Sequence, residues 1–395
     1  MELKIAYLSQ GKLFFKHGDL AAREIDSEFG QDVVNRALQR YQKDEWKTGG
    51  RGSLFSGSML WGAQDMDPGT LRADITGVTG SDQDGELLFA LATNYVGGLF
   101  RYDWAHDEEK RVFHKENFRV KDLDRHPKQN LVACSQHSPS GTANIGIIQR
   151  YGLRQVTEGD SVDAAPSWIP NRDKELVFQS AGIARNTQGF ALGLGPFAIQ
   201  RLDLNRGTLT TLLDDPNYDF LLPHLDADGT LTFIRRPYEM PGRPRFSVVK
   251  FFTDILAFPF RVVRAIIHFL NFFSLTFARK PLITAAGPKM EGADQQTLTL
   301  WGRIIDAEKA LRESARDQEN PSLVPPSWEL VRRRPSGDES TLAKGVVAFD
   351  IDRQGRIVYT NGSAIYQLEL DKNNNGAHAR LLLKGHLIES LVIIN

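Results

Sequence analysis

The chain has one cysteine in 395 residues, Cys134, and almost no net charge, formally -1. A lone cysteine excludes an intramolecular disulfide and leaves a cysteine-based metal site without companions, and a reducing compartment is permitted. Near-neutrality provides no global field that would draw nucleic acid, so electrostatic recognition has to come from local patches. Long hydrophobic runs are also missing. In the most apolar region the longest uncharged run, Ala265 to Ala278, is fourteen residues, short of the roughly 18 that a spanning helix needs. The opening stretch MELKIAYLSQGKLFFKHGD has no uninterrupted apolar segment followed by a small-residue cleavage site, so export through a standard signal is not expected. No Gly-x-Ser-x-Gly nucleophile elbow occurs.

What is present is ordinary globular material: 41% hydrophobic residues, 25% charged and 34 glycines, enough for a substantial core. The length predicts either two domains or one large closed architecture. A repeat favours the second. β-rich runs recur, each after a polar turn: GELLFALATN, QNLVACSQHS, KELVFQSAG, GTLTFIRRP and GRIVYTNGSAIYQLEL. Their first core residues, Leu87, Leu131, Leu176, Leu231 and Ile357, are separated by 44, 45, 55 and 126 residues. Another strand-like stretch precedes each run and a second hairpin follows the better copies, as in FAIQRLDLNRGTLTTLLDD. Four short antiparallel strands about every 44 residues is the spacing of a β-propeller blade. At the start, KIAYLSQGKLFFKHGDLAAREID reads as a blade without its first strand, and ESLVIIN at the end reads as that strand. Joining them predicts an all-β, six-bladed propeller over residues 1–395, its ring closed by pairing terminal strands in one blade.

The stretch RQVTEGDSVDAAPSWIPNRDKELVFQS resembles the repeat of TolB-like propellers, through Thr157, Pro166, Ser167, Trp168 and Phe178. Other copies keep only the turn and the strand. The resemblance implies the fold more than any function. Similar repeats occur in the gating propeller of prolyl-oligopeptidase-type enzymes, whose activity lies in an attached hydrolase domain for which this chain has no room.

Two insertions interrupt the pattern. Residues 27–70, between the first two blades, place Phe29, Val33, Val34, Ala37, Leu38 and Tyr41 at helical spacing and then run into the glycines of WKTGGRG. Residues 239–327, inside the fifth blade, contain FFTDILAFPFRVVRAIIHFLNFFSLTFARK, which holds eight of the 23 phenylalanines. At 100° per residue its polar positions fall on one narrow stripe, and Pro259 is expected to kink or divide the helix. Lys250, Arg261, Arg264, Arg279 and Lys280 oppose Asp254 alone. Arginines beside Phe251, Phe252, Phe258, Phe260, Phe269, Phe272, Phe273 and Phe277 suit a helix lying in the headgroup region of an anionic membrane. The same surface, residues 247–283, would serve equally for self-association. TLTLWGRIIDAEKALRESARDQ is predicted to be a second helix of this insertion.

Chemistry is less legible. Asp122, Asp163, His224, Asp226, Asp350 and Asp352 sit near first-strand ends or turns, where they could line a central pore and hold a metal, although aspartates at such places usually cap turns. The expectation is a non-enzymatic interaction platform without cofactor or metal, cytoplasmic and peripheral at the inner membrane, binding a protein or peptide and no nucleic acid. The alternatives are a propeller hydrolase or lyase with a metal at the pore, and a soluble homo-oligomer sealed by the phenylalanine-rich helix.

Overall fold

The structure, a computed structural model, describes residues 2–48, 72–93, 96–150, 152–189, 191–239, 297–300, 303–306, 320–370 and 377–394. The first strands are β1 (Lys4–Ser9), β2 (Lys12–His17) and β3 (Arg23–Ile25), followed by helix α1 (Glu28–Thr48). Gln10 and Gly11 make the turn between β1 and β2, with φ of 53° and 75°. Positive φ at both central residues is what a two-residue hairpin needs to match strand twist, and glycine adopts it without strain.

Next come β4 (Asp74–Gly80), β5 (Glu86–Ala92), β6 (Val96–Asp103) and β7 (Glu108–Glu116), paired in that order. β8 (Val120–Arg125), β9 (Leu131–His137), β10 (Ala143–Gln149) and β11 (Gly152–Gln155) repeat the meander. So do β12 (Ser161–Trp168), β13 (Glu175–Arg185), β15 (Ala198–Asp203) and β16 (Thr208–Leu213), with β14 (Ala191–Leu194) as an extra strand on β13. A single parallel pair, Ala143 with Val162, joins these last two meanders into one sheet.

β17 (Tyr218–Leu225) and β18 (Leu231–Pro237) pair with β21 (Glu329–Arg333) and β22 (Glu339–Lys344) in the order β17-β18-β21-β22. Leu330 lies directly opposite Ile234, so residues 238–328 leave and rejoin the chain between two adjacent strands. Within that excursion the predicted second helix is replaced, over its described part, by the hairpin β19 (Thr297–Leu300) and β20 (Arg303–Asp306). The alternation Thr-Leu-Thr-Leu has the period of a strand and outweighs the helical spacing read further along. β23 (Ala348–Ile351), β24 (Ile357–Thr360), β25 (Ala364–Leu370) and β26 (Ala377–Lys384) form another meander. The last strand, β27 (Ile388–Ile394), pairs antiparallel with β1, so both ends of the described chain share one sheet.

Packing explains the unbroken apolar runs of the second strands. On β5, Leu87, Phe89 and Leu91 pack against β1, β2 and β3, while Leu88 and Ala90 face β8 and β9. On β9, Val132 and Cys134 join the latter layer, and Leu131 and Ala133 meet Trp168, Leu176 and Phe178. Phe220 and Phe233 then meet Ile199, and Leu221 and Ile234 meet Val347 and Phe349. Val358 and Ile365 complete the series by packing on Ile5, Tyr7, Leu391 and Ile393. Successive side chains of a strand point to opposite faces, so a strand buried on both faces is apolar throughout. Each such leucine or phenylalanine contributes about 1.5–3 kcal/mol.

Helix α1 begins where expected. The Gly30 amide donates to Ser27 Oγ at 3.1 Å, an amino-terminal cap. Phe29 of the first turn packs 5.0 Å from Phe100 and 5.6 Å from His114. At the other insertion, the first arm is held by a buried ion pair, Arg236 Nε donating to Asp219 Oδ2 at 2.8 Å. The returning arm presents Trp328, whose ring lies 4.6 Å from the same guanidinium.

Candidate functional site at the convergence of the first strands

The first strand of each meander lies beside the next. Thr76 Oγ1 on β4 donates to the Val120 carbonyl on β8 at 2.6 Å, and the Trp168 amide on β12 donates to Asp124 Oδ2 on β8 at 2.7 Å. β17 packs against β12 and β23, and β27 against β23 and β4.

Three of these strands share a distortion. Each carries a bulge with a non-glycine residue in the left-handed region: Asp122, Ala165 and Leu222, with φ of 52°, 49° and 51°. Such residues are costly and persist only where their surroundings fix them. Two positions later in each strand stand Asp124, Ser167 and His224. The repeated bulge thus delivers a polar side chain at the same level of consecutive strands.

Ser167 Oγ lies 3.2 Å from His224 Nδ1. Asp350, on β23, accepts the Ile351 amide at 2.8 Å and the Ile393 amide of β27 at 2.6 Å. Burial pushes the Asp124 carboxyl up to about 7, and the charge of Asp350 adds to the effect. Burial also raises Asp350, against the pull of His224, and holds His224 below the ordinary imidazole value, against the pull of Asp350. The cluster is therefore one of acids kept towards neutrality around a neutral imidazole.

Of the six residues predicted for the pore, His224 and Asp350 enter this cluster and Asp122 supports it. Asp122 Oδ2 accepts Ser135 Oγ at 2.9 Å and the Ala165 amide at 3.3 Å, so it ties one bulge to the next. The remaining three lie apart from it. Asp163 Oδ1 accepts Ser180 Oγ at 2.7 Å within its own meander. Asp352 caps its turn by accepting the Gln354 and Arg356 amides, both at 2.8 Å, and pairs with the Arg356 side chain. Asp226 closes the β17–β18 turn through its backbone, the Gly229 amide donating to its carbonyl at 3.0 Å. Sequence reading passed over Asp124; setting it beneath Ser167 of the Pro-Ser-Trp run, by their shared bulge, would have found it.

Among the described residues no three His, Cys, Asp or Glu side chains are grouped to hold a metal ion, and no helix is long and apolar enough to cross a membrane. Cys134 is fully buried, its Sγ 3.5 Å from the Gly146 carbonyl, and burial pushes its thiol up. The predicted membrane-contacting residues, Lys250 through Lys280, lie outside the described residues.

The Asp124 shift fixes the sign of one prediction. The folded chain takes up this proton at a higher pH than the unfolded chain, so its stability falls as pH rises from about 4 to 7 and is level above that. Asp124→Asn keeps an oxygen for the Trp168 amide and removes the penalty. Urea melts should show the variant more stable than the parent at pH 8, by up to about 4 kcal/mol, and unchanged at pH 4. Equal gains at both values would sink the assignment. His224 acts in the opposite sense, since a neutral buried imidazole weakens the fold as pH falls below the unfolded value.

No family model matches the chain, and no curated protein matches it. Among solved structures it is similar to TolB from Acinetobacter baumannii, at TM-score 0.48 and 10% identity over 98% of this chain and 66% of that one. It spans just under two thirds of that TolB chain. A putative TolB from Agrobacterium tumefaciens matches at TM-score 0.42 and 13% identity, over 83% of this chain and 92% of that one. A structure of a nidogen/laminin complex matches at TM-score 0.49 and 8% identity, over 100% and 98%. Built from consecutive four-stranded antiparallel meanders whose first strands lie side by side, the chain is a β-propeller.

Proposed function

We propose that this chain is a six-bladed propeller whose ring is closed by β27, and that it works as a non-enzymatic binding platform on the cytoplasmic face of a membrane. The ring is supported by the order of packing, in which each meander shares an apolar layer with the next and the last shares one with β1 and β27. A protein or peptide partner binds over the mouth of the central channel. The phenylalanine-rich segment, residues 251–277, attaches the ring to anionic lipid.

One observation carries the attachment. Because β18 and β21 are neighbours in register, the basic and apolar stretch 251–280 is an insertion between two paired strands, and its apolar side chains amount to a large surface to be covered. Ring interiors are filled by their own strands, so that apolar surface requires a partner outside the ring. The Ser167–His224 contact would also suit a hydrolase. Asp350, the acid nearest that pair in charge, spends both oxygens on backbone amides, and the platform reading accounts for more of the cluster.

Flotation with anionic vesicles tests the reading. The intact chain should float, and a variant with residues 247–283 replaced by a short Gly/Ser linker should stay at the bottom with an unchanged melting curve. High salt should weaken flotation without abolishing it. If neither floats and the deletion turns an oligomer into a monomer, the segment joins copies of this chain and membrane attachment is wrong.

A further inference from the structure

β8 ends at Arg125, and the β23–β24 turn carries Arg353. β8 and β23 are separated by two first strands in one direction round the series and by two in the other, so these termini face each other across the channel in the proposed ring. Arg125 is partly buried and Arg353 exposed. Among the described residues neither guanidinium makes a hydrogen bond or an ion pair. The nearby acids are committed elsewhere. Asp82 pairs with Arg101 at 2.9 Å, Asp352 with Arg356, and Asp124 accepts the Trp168 amide.

A partly buried guanidinium with five unused donors is costly to leave alone, and a carboxylate matches its fork with two parallel hydrogen bonds. Arg125 also feels the like charge of Arg353: burial lowers its proton affinity first, Asp82 opposes, and Arg353 lowers it further. An anion between the two would relieve both terms.

We propose that the channel mouth framed by Arg125 and Arg353 binds a carboxylate, the anchoring group of the platform's ligand. The assignment rests on the platform reading for its ring geometry. The carboxylate is either the free end of a peptide or a small carboxylic acid.

Titration calorimetry on the full chain separates these sources. The probes are a short N-acetylated peptide of uncharged residues with a free carboxyl end, the same peptide with an amidated end, and succinate. At least one free acid should bind saturably, the amide should bind at least about 10-fold more weakly, and Arg125→Gln and Arg353→Gln should each weaken the acid about 10-fold. Binding by the peptide acid alone names a peptide end; binding by succinate as well names the small acid; both uphold the carboxylate site. The assignment is overturned if no acid binds, or if acid and amide bind alike and both variants keep full affinity. Arg353 is exposed, so its variant folds even if the other does not. Flotation is independent of both arginines, so failure of the site and failure of membrane attachment remain distinguishable.

Discussion

Removing β27 should abolish cooperative folding. The strand pairs with β1 from Lys4 opposite Ile394 to Ser9 opposite Ile388, and it buries Ile388, Leu391, Ile393 and Ile394. Losing four such side chains costs about 6–12 kcal/mol, before the unpaired edge of β1 is counted. A single domain holds only about 5–15 kcal/mol in total. A chain ending after His386 is therefore expected to show no single unfolding transition by circular dichroism and to bind an apolar dye, whereas Ile393→Val should lose only about 1 kcal/mol. A truncated chain that melts within a few degrees of the parent would mean that β27 does not hold the first sheet together.

Breaking the buried ion pair at the root of the long insertion comes next in size. Arg236 is 2% exposed and Asp219 also 2%, and Asp219 Oδ1 additionally accepts the Phe197 amide at 3.0 Å. Arg236→Ala leaves that carboxylate buried without its cation and takes the guanidinium from the Trp328 ring, for an expected loss of about 3–5 kcal/mol. Asp219→Ala should cost a similar amount, and the double variant less than the sum, because neither charge is then left alone. Additive losses in urea melts would show that the pair is not coupled. An Arg236 variant that melts like the parent would remove the ion pair from any role at the insertion's root.

The five second strands were legible because they are buried on both faces. LLFALA and LVAC are apolar without interruption for that reason, and the turns before them need Gly, Asn, Asp or Pro. The partner of β1 was legible as well, since the first meander is one strand short and the last strand is left over. The hairpin β19–β20 was not. Its apolar residues satisfy a helical spacing and a strand alternation at once, and so short a run does not decide between them. Of the pore candidates, type and position near a turn were visible, but those features do not separate Asp350 and His224 from Asp226, which enters its turn only through its backbone, and Asp352, which caps one.

By itself the sequence determined the repeat, the architecture and the pairing of its ends, because burial on two faces writes itself into a strand's composition. It also determined that residues 251–280 are apolar and basic together. Only the tertiary structure decided which polar groups meet. Asp124, Ser167, His224 and Asp350 come from four different meanders, with gaps of 43, 57 and 126 residues, and nothing local records that proximity. It depends on bulges at Asp122, Ala165 and Leu222 that turn the next side chains inward, and on strands that lie side by side only once every apolar layer between the sheets has formed.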